Sequence, residues 1–330
     1  MKFLIIRFSS IGDIVLTGPV LRCIKKKYPE AEVHYLTKAQ FHPLLIANPN
    51  IDKFYLLEDD NLDDLIQKMK AESYDVIIDL HKNIRTLKVK RALGVKKVYS
   101  FDKINLEKWL IVNLKMNRLP EKHIVDRYFE GIADLGIVNH GQGLDYYIWD
   151  KEVYDFVLSL TDTHYIAFAI GANHNTKKLP EDKIIEICSG IDKHIYILGG
   201  PKEEATGTKL NDLFPTKVIN LCGKLTVNES AFLIKHAKKV ITHDTGMMHI
   251  AAAFHKPILS IWGNTIPEFG MYPYFGDLEK DHAEKQSKIF EVKGLSCRPC
   301  SKLGYEKCPK GHFKCMNEQD TKGITELAIH

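Results

Sequence analysis

The sequence predicts an α/β protein made of two doubly wound domains in tandem. Short β-rich runs alternate with stretches of helical period from residue 2 to about residue 100, and the alternation begins again near residue 164. The chain has 330 residues, the length of about two domains. Because parallel strands need crossover helices, we expect two parallel sheets covered by helices and facing a central cleft.

The first half of the chain contains five strand-like runs, which in order are KFLIIR, EVHYLT, KFYLL, DVIIDL and KKVYS. A helical stretch follows the first run and extends to Tyr28. The third run is followed by the helical stretch NLDDLIQKMKAE, and the fourth by a basic segment with a helical pattern. Residues 117–155 have a helical or irregular pattern. We therefore place the domain boundary there, with domains at 1–155 and 156–330.

The second half repeats the pattern with HYIAFAI, HIYILGG, KVINL, KKVITHD and KPILSIWG. Between these runs lie the helical stretches KLPEDKIIEICSGI, PKEEATGTKLNDLF, TVNESAFLIKHA and TGMMHIAAAF. Ligands bind doubly wound sheets at the carboxyl ends of the strands. The turns that directly follow the strands are thus the places to search for functional residues.

Composition excludes several classes of protein. The chain has 46 Lys and Arg against 42 Asp and Glu, and a net charge of +4 does not indicate nucleic-acid binding. The longest apolar runs fall well short of the roughly 18 residues of a membrane span. Because the N-terminus enters a strand directly, without a cleavage site, we expect no signal peptide and a cytoplasmic location.

The turn after the first strand contains Ser9, Ser10 and Gly12, and Asp13 begins the next helix. Ser and Asp at a helix start commonly cap its free N–H groups, and spacing alone favours that interpretation. The functional alternative is a carboxylate that faces the cleft and acts as a general base.

In the second domain, Asp244, Thr245 and Gly246 separate a strand from a helix whose first turns carry His249. A helix N-terminus offers free N–H donors and partial positive charge, which suit a diphosphate, and glycine allows close approach. Helix capping by Asp-Thr-Gly is an equally good interpretation, and a lone histidine is more often structural than chemical.

Two further turns carry charged residues. The turn from Gly171 to Pro180 contains Lys177, which would neutralise a leaving phosphate or belong to a solvated lysine pair. Glu203 follows Gly199 and Gly200, and would accept hydrogen bonds from a ribose or simply favour a helix start.

Together these segments resemble glycosyltransferase family 9, the heptosyltransferases of lipopolysaccharide core synthesis. The similar segments are RFSSIGDIVLTGPVL, KKLP, LGGPKE and HDTGMMHIAAAFHKPILSIWGNT. The resemblance implies a GT-B fold, in which two Rossmann-like domains face a cleft, the first holding the acceptor and the second the nucleotide sugar. It also implies an inverting reaction without a metal cofactor, and no Asp-x-Asp metal motif is seen between strands.

The resemblance assigns roles by position: Asp13 matches the catalytic base and Lys177 the cation that stabilises the leaving diphosphate. The residues implied at the donor are Ala172, Asn173, Lys177, Glu203 (ribose), Leu225, Asp244 (sugar hydroxyls), and Thr245, Gly246 and His249 (phosphates). Those implied at the acceptor are Ser10, Gly12, Arg85 and Arg127, the last matching an arginine that contacts acceptor carboxylates. Leu179 departs from the family, which often has an aromatic residue before this proline.

The segment from Lys82 to Arg127 is basic, with thirteen Lys or Arg against four Asp or Glu. A phosphorylated and carboxylated acceptor, such as the lipopolysaccharide core or lipid A–Kdo, would fit this charge. A solvated basic helix face is the commoner explanation of such a run. Peripheral contact with the anionic leaflet of the inner membrane is a further hypothesis.

Four of the seven cysteines lie close together, as Cys297, Cys300, Cys308 and Cys315 in a C-x2-C-x7-C-x6-C pattern. With thiols kept reduced, this spacing indicates a structural zinc ion, and a redox or metal-free cluster is the alternative.

The function expected from this is inverting transfer of heptose from ADP-heptose to the lipopolysaccharide inner core. A related transferase with another nucleotide sugar or glycan acceptor remains an alternative, as does a catalytically silent nucleotide-sugar-binding protein of the same fold.

Overall fold

The computed structural model describes residues 1–59, 61–149, 155–162, 164–277 and 282–330. Its two sheets are parallel throughout, and each is covered by helices, as the alternating pattern predicts. The first has the order β3-β2-β1-β4-β5 and the second β11-β10-β9-β6-β7-β8. The predicted division at residue 155 falls between the sheets, beside residues 150–154, which lie outside the described residues, and it stays a prediction.

The strands of the first sheet are β1 (Lys2–Ile6), β2 (Glu32–Lys38), β3 (Lys53–Leu57), β4 (Val76–Asp79) and β5 (Lys97–Ser100). The helices of this half are α1 (Ile11–Val15), α2 (Gly18–Lys27), α3 (Leu62–Lys70), α4 (Ile84–Leu93), α5 (Asn105–Trp109) and α6 (Ile124–Glu130). Short 3-10 turns occupy Ala39–Leu44 and Ala133–Leu135, and a π-helical turn, Leu110–Leu114, continues α5. All five predicted strands are therefore confirmed.

One prediction in this half needs correction. The stretch from the first turn to Tyr28 is not one helix, because α1 ends at Val15 and α2 begins at Gly18. Pro19 explains the break, since a proline lacks the N–H that a continuous helix needs and fits the first turn of a new one.

The second sheet contains β6 (Tyr165–Ala169), β7 (His194–Leu198), β8 (Val218–Asn220), β9 (Lys239–His243), β10 (Ile258–Trp262) and β11 (Lys288–Glu291). Its helices are α7 (Asp155–Ser159), α8 (Glu181–Gly190), α9 (Glu204–Leu213), α10 (Val227–His236), α11 (Gly246–Ala253), α12 (His282–Lys285), α13 (Lys314–Asn317) and α14 (Thr321–Ile329). Short 3-10 turns lie at Leu160–Asp162, Asn175–Lys177, Pro201–Glu203 and Pro267–Phe269. The sequence patterns predicted five of these strands and missed β11 and the short or terminal helices α7, α12, α13 and α14.

The core explains why the central strands read as continuous apolar runs. Phe3, Leu4, Ile5 and Ile6 of β1 are all fully buried, because helices cover both faces of a parallel sheet. The largest apolar cluster includes residues of both halves, so the two sheets share one continuous core. Among the described residues, the helices are all too short or too polar to cross a bilayer.

Candidate functional site

The predicted site residues lie where each sheet reverses its strand order. In the first sheet the chain runs from β1 to β3 on one side and resumes with β4 on the other, so the reversal falls between β1 and β4. In the second sheet it falls between β6 and β9. Asp13 follows β1, Lys177 follows β6 and Asp244 follows β9 directly. Such points are the preferred ligand sites of doubly wound sheets.

Asp13 lies in the first turn of α1 and makes local hydrogen bonds. Its Oδ2 accepts from the Ser10 backbone N–H at 3.2 Å and from the Ser10 hydroxyl at 2.8 Å. Asp13 and Ser10 therefore form a capping box at the start of α1, as the capping interpretation predicts. The side chain nevertheless stays 23% exposed, so a substrate hydroxyl can reach it.

Arg7 is the residue of this site that sequence reasoning missed. Its Nη2 lies 2.5 Å from Asp13 Oδ1, and its Nε donates to the Ser9 carbonyl at 2.8 Å. Burial raises the pKa of Asp13, but the Arg7 charge and the Ser10 hydrogen bonds outweigh it and hold that pKa below its usual range. Asp13 is therefore ionised at neutral pH. A charged residue at the end of the apolar run KFLIIR was the available signal.

Lys177 and Asp244 form an ion pair at the reversal point of the second sheet. Lys177 Nζ lies 2.5 Å from Asp244 Oδ2, which also accepts from the Thr265 hydroxyl at 2.8 Å. Thr245, not Asp244, is the N-cap residue of α11. The Asp-Thr-Gly segment therefore caps α11 through Thr245, although without a side-chain capping bond, while Asp244 serves the ion pair. Lys177 is not a freely solvated lysine.

A second ion pair lies beside the first. Lys178 Nζ is 3.0 Å from Glu203 Oε1, while Glu203 Oε2 accepts from the Gly200 N–H at 3.0 Å. The latter bond supports the helix-start interpretation of Glu203. The carboxylate also borders Gly171, because a Cβ at that glycine would lie 3.1 Å from Oε2. Glu203 therefore faces the turn that carries Lys177.

His243 fixes this turn and was also missed by sequence reasoning. Its Nε2 accepts from the Leu179 N–H at 3.0 Å, and burial lowers its pKa to about 4. The ring is therefore neutral at physiological pH and acts as a hydrogen-bond acceptor. Its position directly before Asp244 was the only local signal.

The two halves meet at paired glycines on α1 and α11. A Cβ at Gly12 would lie 2.5 Å from His249 Cδ2, and one at Gly246 would lie 2.5 Å from Ile11 Cγ2. Glycine thus permits close approach of the helices, where the sequence analysis expected approach of a ligand. Burial lowers the pKa of His249 to about 4, and its buried Nδ1 has no hydrogen-bond partner among the described residues.

The structure differs from expectation at Arg127. Its side chain is almost fully buried, and Nη2 donates to the Phe269 carbonyl at 3.0 Å. Arg127 therefore joins the two halves of the chain and does not stand open to an acceptor carboxylate, because α6 packs into their interface. Of the remaining predicted residues, Ser10, Arg85 and Asn173 are exposed, Ala172 and Leu225 are half-buried, and Gly12 is buried.

The four clustered cysteines are free and lie near one another, but they do not form a closed metal set. Cys297 Sγ is 3.8 Å from His312 Nε2. Burial, together with the charges of Cys300, Cys308 and Cys297, raises the pKa of the Cys315 thiol. Among the described residues, one group of three has its potential metal-ligand atoms within 4.8 Å of one another. It consists of Glu32, His34 and Glu72 and does not include the cysteines. Lys2 pairs with both of those carboxylates, which identifies that group as an ion-pair network.

Comparison with known proteins identifies the family of this chain. The model of glycosyltransferase family 9 (heptosyltransferase) matches residues 63–294. Lipopolysaccharide heptosyltransferase 3 of Escherichia coli K12 is 26% identical over 283 residues, which are 77% of this chain and 80% of that protein.

Solved structures share the fold. A glycosyltransferase family 9 protein from Veillonella parvula gives a TM-score of 0.78 at 21% identity, covering 99% of this chain and 96% of its own. A structure of an Escherichia coli heptosyltransferase with ADP gives a TM-score of 0.69 at 20% identity, and the match covers 99% of this chain and 98% of that one. The chain has the GT-B fold and belongs to glycosyltransferase family 9, the heptosyltransferase family.

Proposed function

We propose that this chain transfers heptose from ADP-heptose to the inner core of lipopolysaccharide, with inversion at the anomeric carbon. The observation that carries the proposal is the opposition of an ionised carboxylate, Asp13, to a lysine, Lys177, at the reversal points of two facing sheets. Relatives that share the family are named as lipopolysaccharide heptosyltransferases, which supports the acceptor and the sugar, and a structural neighbour is described as an ADP-heptose heptosyltransferase, which supports the nucleotide.

The first half of the chain would supply the base. As the acceptor oxygen bonds to the anomeric carbon, the bond from that carbon to the diphosphate breaks, and the acceptor proton passes to Asp13. Attack from the face opposite the leaving group gives inversion. The low pKa of Asp13 keeps it in the proton-accepting form over the physiological range.

The second half would stabilise the departing ADP. Lys177 brings a positive charge to the cleft, and the N-terminus of α11 adds its partial charge. In this structure, Asp244 pairs with Lys177. A diphosphate would share the lysine, leaving Asp244 free to accept hydrogen bonds from the donor sugar.

The same pairs support a reaction that does not depend on a divalent cation. The donor-side carboxylates, Asp244 and Glu203, are each paired with a lysine. Asp244 is engaged by Lys177 or by the donor sugar, and Glu203 by Lys178, so neither carboxylate is left to hold Mg²⁺, which needs carboxylate or phosphate oxygens. The charge that a metal would supply to the diphosphate is provided by Lys177.

The testing experiment is thermal unfolding of the purified chain with ADP, UDP, GDP or CDP, each with and without EDTA. A ligand that binds the native state raises Tm. We expect ADP alone to raise Tm, equally with EDTA, and transfer from ADP-heptose to follow. Lys177→Ala should lose the ADP shift, whereas Lys183→Ala, which removes a half-buried lysine paired with Glu186, should keep it. A shift with UDP or GDP instead would contradict the donor assignment.

We further propose that the four clustered cysteines hold one structural zinc ion. Their spacing and the short distance from Cys297 to His312 support it, although the thiols must draw together to form a tetrahedral set. Burial raises the pKa of Cys300 to about 11, so this thiol must lose a proton on metal binding. Elemental analysis should find one zinc per chain, and none after Cys297→Ser with Cys300→Ser. A wild-type chain without metal after growth with zinc would refute the proposal.

A further inference from the structure

The turn that carries Lys177 needs support from other parts of the chain. Its regular structure is the 3-10 turn Asn175–Lys177, whose backbone bonds are local: the Lys177 N–H donates to the His174 carbonyl and the Lys178 N–H to the Asn175 carbonyl, both at 3.0 Å. A 3-10 turn of this length has poor hydrogen-bond geometry and little stability of its own. Contacts with distant segments must therefore fix the position of Lys177.

Tyr305 supplies such contacts to the neighbouring Thr176. It belongs to the cysteine-rich segment, which we define as residues 297–315. The Thr176 hydroxyl accepts from the Tyr305 N–H at 2.8 Å and donates to the Tyr305 carbonyl at 3.0 Å, which also accepts from the Thr176 N–H at 3.1 Å. Thr176 is 2% exposed, so these bonds are shielded from water. The segment therefore fixes the backbone directly beside Lys177.

Arg298 of the same segment holds Asp244 through Thr265. Its Nε donates to the Gly263 carbonyl at 2.6 Å and its Nη2 to the Thr265 carbonyl at 2.8 Å. The Arg298 side chain is 7% exposed, and a planar guanidinium presents its donors in a rigid fork, so the two carbonyls are held at fixed positions. The Thr265 hydroxyl in turn donates at 2.8 Å to Asp244 Oδ2, the oxygen that pairs with Lys177.

The turn with Thr176, the loop with Thr265 and the cysteine-rich segment are packed against one another. A Cβ at Gly263 would lie 2.6 Å from the Thr176 carbonyl oxygen, and a Cβ at Gly304 of the segment would lie 2.5 Å from His174 Cβ. Both distances are shorter than ordinary contacts, so glycine permits an approach that a side chain would prevent. The three pieces of chain therefore form one packed unit around the ion pair.

We propose that Thr176 and Arg298 are positioning residues of the donor site, through which the cysteine-rich segment holds the Lys177 ion pair ready for a diphosphate. In this role neither residue touches the reacting atoms. Thr176 acts on Lys177, which follows it in the chain, and Arg298 acts on Asp244 through Thr265. Reacting groups need neighbours that lock their geometry, because a misplacement of about 1 Å can cost about 100-fold in rate. The role of the diphosphate rests on the proposed function.

The first test removes the Thr176 hydroxyl. Thr176→Val keeps the shape of the side chain and loses both hydroxyl bonds to Tyr305. In titration calorimetry of the full chain, the Kd for ADP should rise about tenfold, and the kcat for transfer should fall while the KM for the acceptor stays unchanged. Thr176→Ser keeps the hydroxyl and should behave as the wild type does.

Thr86→Val is the matched control. The buried Thr86 hydroxyl makes the same two bonds to one residue, because it accepts from the Asn83 N–H and donates to the Asn83 carbonyl, both at 2.9 Å. These residues lie in the first half of the chain. Thr86→Val should therefore lower Tm and leave the Kd for ADP unchanged, and an equal rise of Kd in this control would overturn the proposal.

The second test changes the fork of Arg298. Arg298→Lys keeps a positive charge beside Glu291, but an ammonium group lacks the planar fork that reaches both carbonyls. The Kd for ADP should rise here too. Arg22→Lys is its control, because Arg22 also bonds a carbonyl, that of Gly143 at 3.1 Å, and pairs with a carboxylate, Asp145. Should Thr176→Val not fold, Arg298→Lys decides the question, and wild-type affinity in the folded variants would overturn the proposal.

A double variant separates positioning from general stability. In a chain that already carries Lys177→Ala, adding Thr176→Val should slow transfer no further, because the group that Thr176 positions is gone; a further loss of the same size as in the wild type would refute the role. Hydrogen exchange of the ligand-free chain separates this inference from the proposed function. The amides of residues 174–178 should exchange faster in Thr176→Val and Arg298→Lys, and unchanged exchange would overturn the positioning. Faster exchange in a chain whose wild type binds no ADP would refute the proposed function alone.

Discussion

Replacing Asp13 by Asn removes the proposed base while changing the shape of the site very little. The amide oxygen can still accept a hydrogen bond from Arg7, and the side chain keeps its length. What is lost is the ability to take a proton from the acceptor hydroxyl. We therefore expect slow transfer in a protein that is folded and binds ADP.

The magnitude has a kinetic and a stability component. General base catalysis contributes about 10²–10⁴-fold, so turnover should fall by that factor. The substitution also leaves Arg7 without a counter-ion. Exposed ion pairs contribute about 0–1 kcal/mol to stability, whereas breaking a buried pair costs about 3–5 kcal/mol. Because the Asp13 side chain is 23% exposed, we expect the free energy of unfolding to fall by about 1–2 kcal/mol. Arg7 limits the loss, because it keeps its bonds to the Ser9 and Leu80 carbonyls.

The assay is initial-rate transfer at saturating donor, with Tm measured with and without ADP for each variant. Asp52→Asn is the matched control, because it removes a carboxylate paired with Lys25 at 2.7 Å, away from the cleft. The control should keep turnover, and both variants should keep the ADP-induced rise in Tm. Near wild-type turnover of Asp13→Asn would show that another group takes the proton.

Three other substitutions test the rest of the site. Lys177→Ala should weaken ADP binding and slow transfer by about 10²–10³-fold together, and unchanged affinity and rate would remove the lysine from the site. Arg7→Gln should raise the pKa of Asp13, because the Arg7 charge holds that pKa down. The acid limb of the pH–rate profile requires ionised Asp13 and should therefore move to higher pH. An unmoved limb would contradict the pairing. Gly246→Ala should destabilise the chain by about 1–3 kcal/mol in denaturant titration, because its Cβ would meet Ile11 at 2.5 Å, and an unchanged midpoint would count against this packing.

The sequence predicted much of the fold because parallel sheets leave a local pattern. A strand buried on both faces is a short apolar run, and its crossover helix follows directly, so ten of the eleven described strands were predicted. β11 was missed because KIFE is short and both its ends are exposed or half-buried. The turns with Asp13, Lys177, Glu203 and Asp244 were found because ligand sites follow strand ends.

The partners of those residues could not be predicted, because they depend on packing between distant segments. Lys177 and Asp244 are 67 residues apart, and no local pattern links them. Gly12 and His249 come from different halves of the chain. Arg127 shows the same limit. The family resemblance placed it at the acceptor, but its burial and its bond to the Phe269 carbonyl depend on how α6 packs at the interface of the two halves, which no local pattern records.

The ion pairs explain how a site built for transfer can remain stable without substrate. Asp13 pairs with Arg7 within the first half, and Lys177 with Asp244 within the second. Each half therefore keeps its reactive charge neutralised before the substrates arrive, which avoids an unpaired charge at the partly buried interface. Under the proposed function, a diphosphate must compete with Asp244 for Lys177, and its departure restores the ion pair. Donor binding should accordingly weaken as ionic strength rises, because screening costs the multiply charged diphosphate more attraction to Lys177 than it costs the single charge of Asp244.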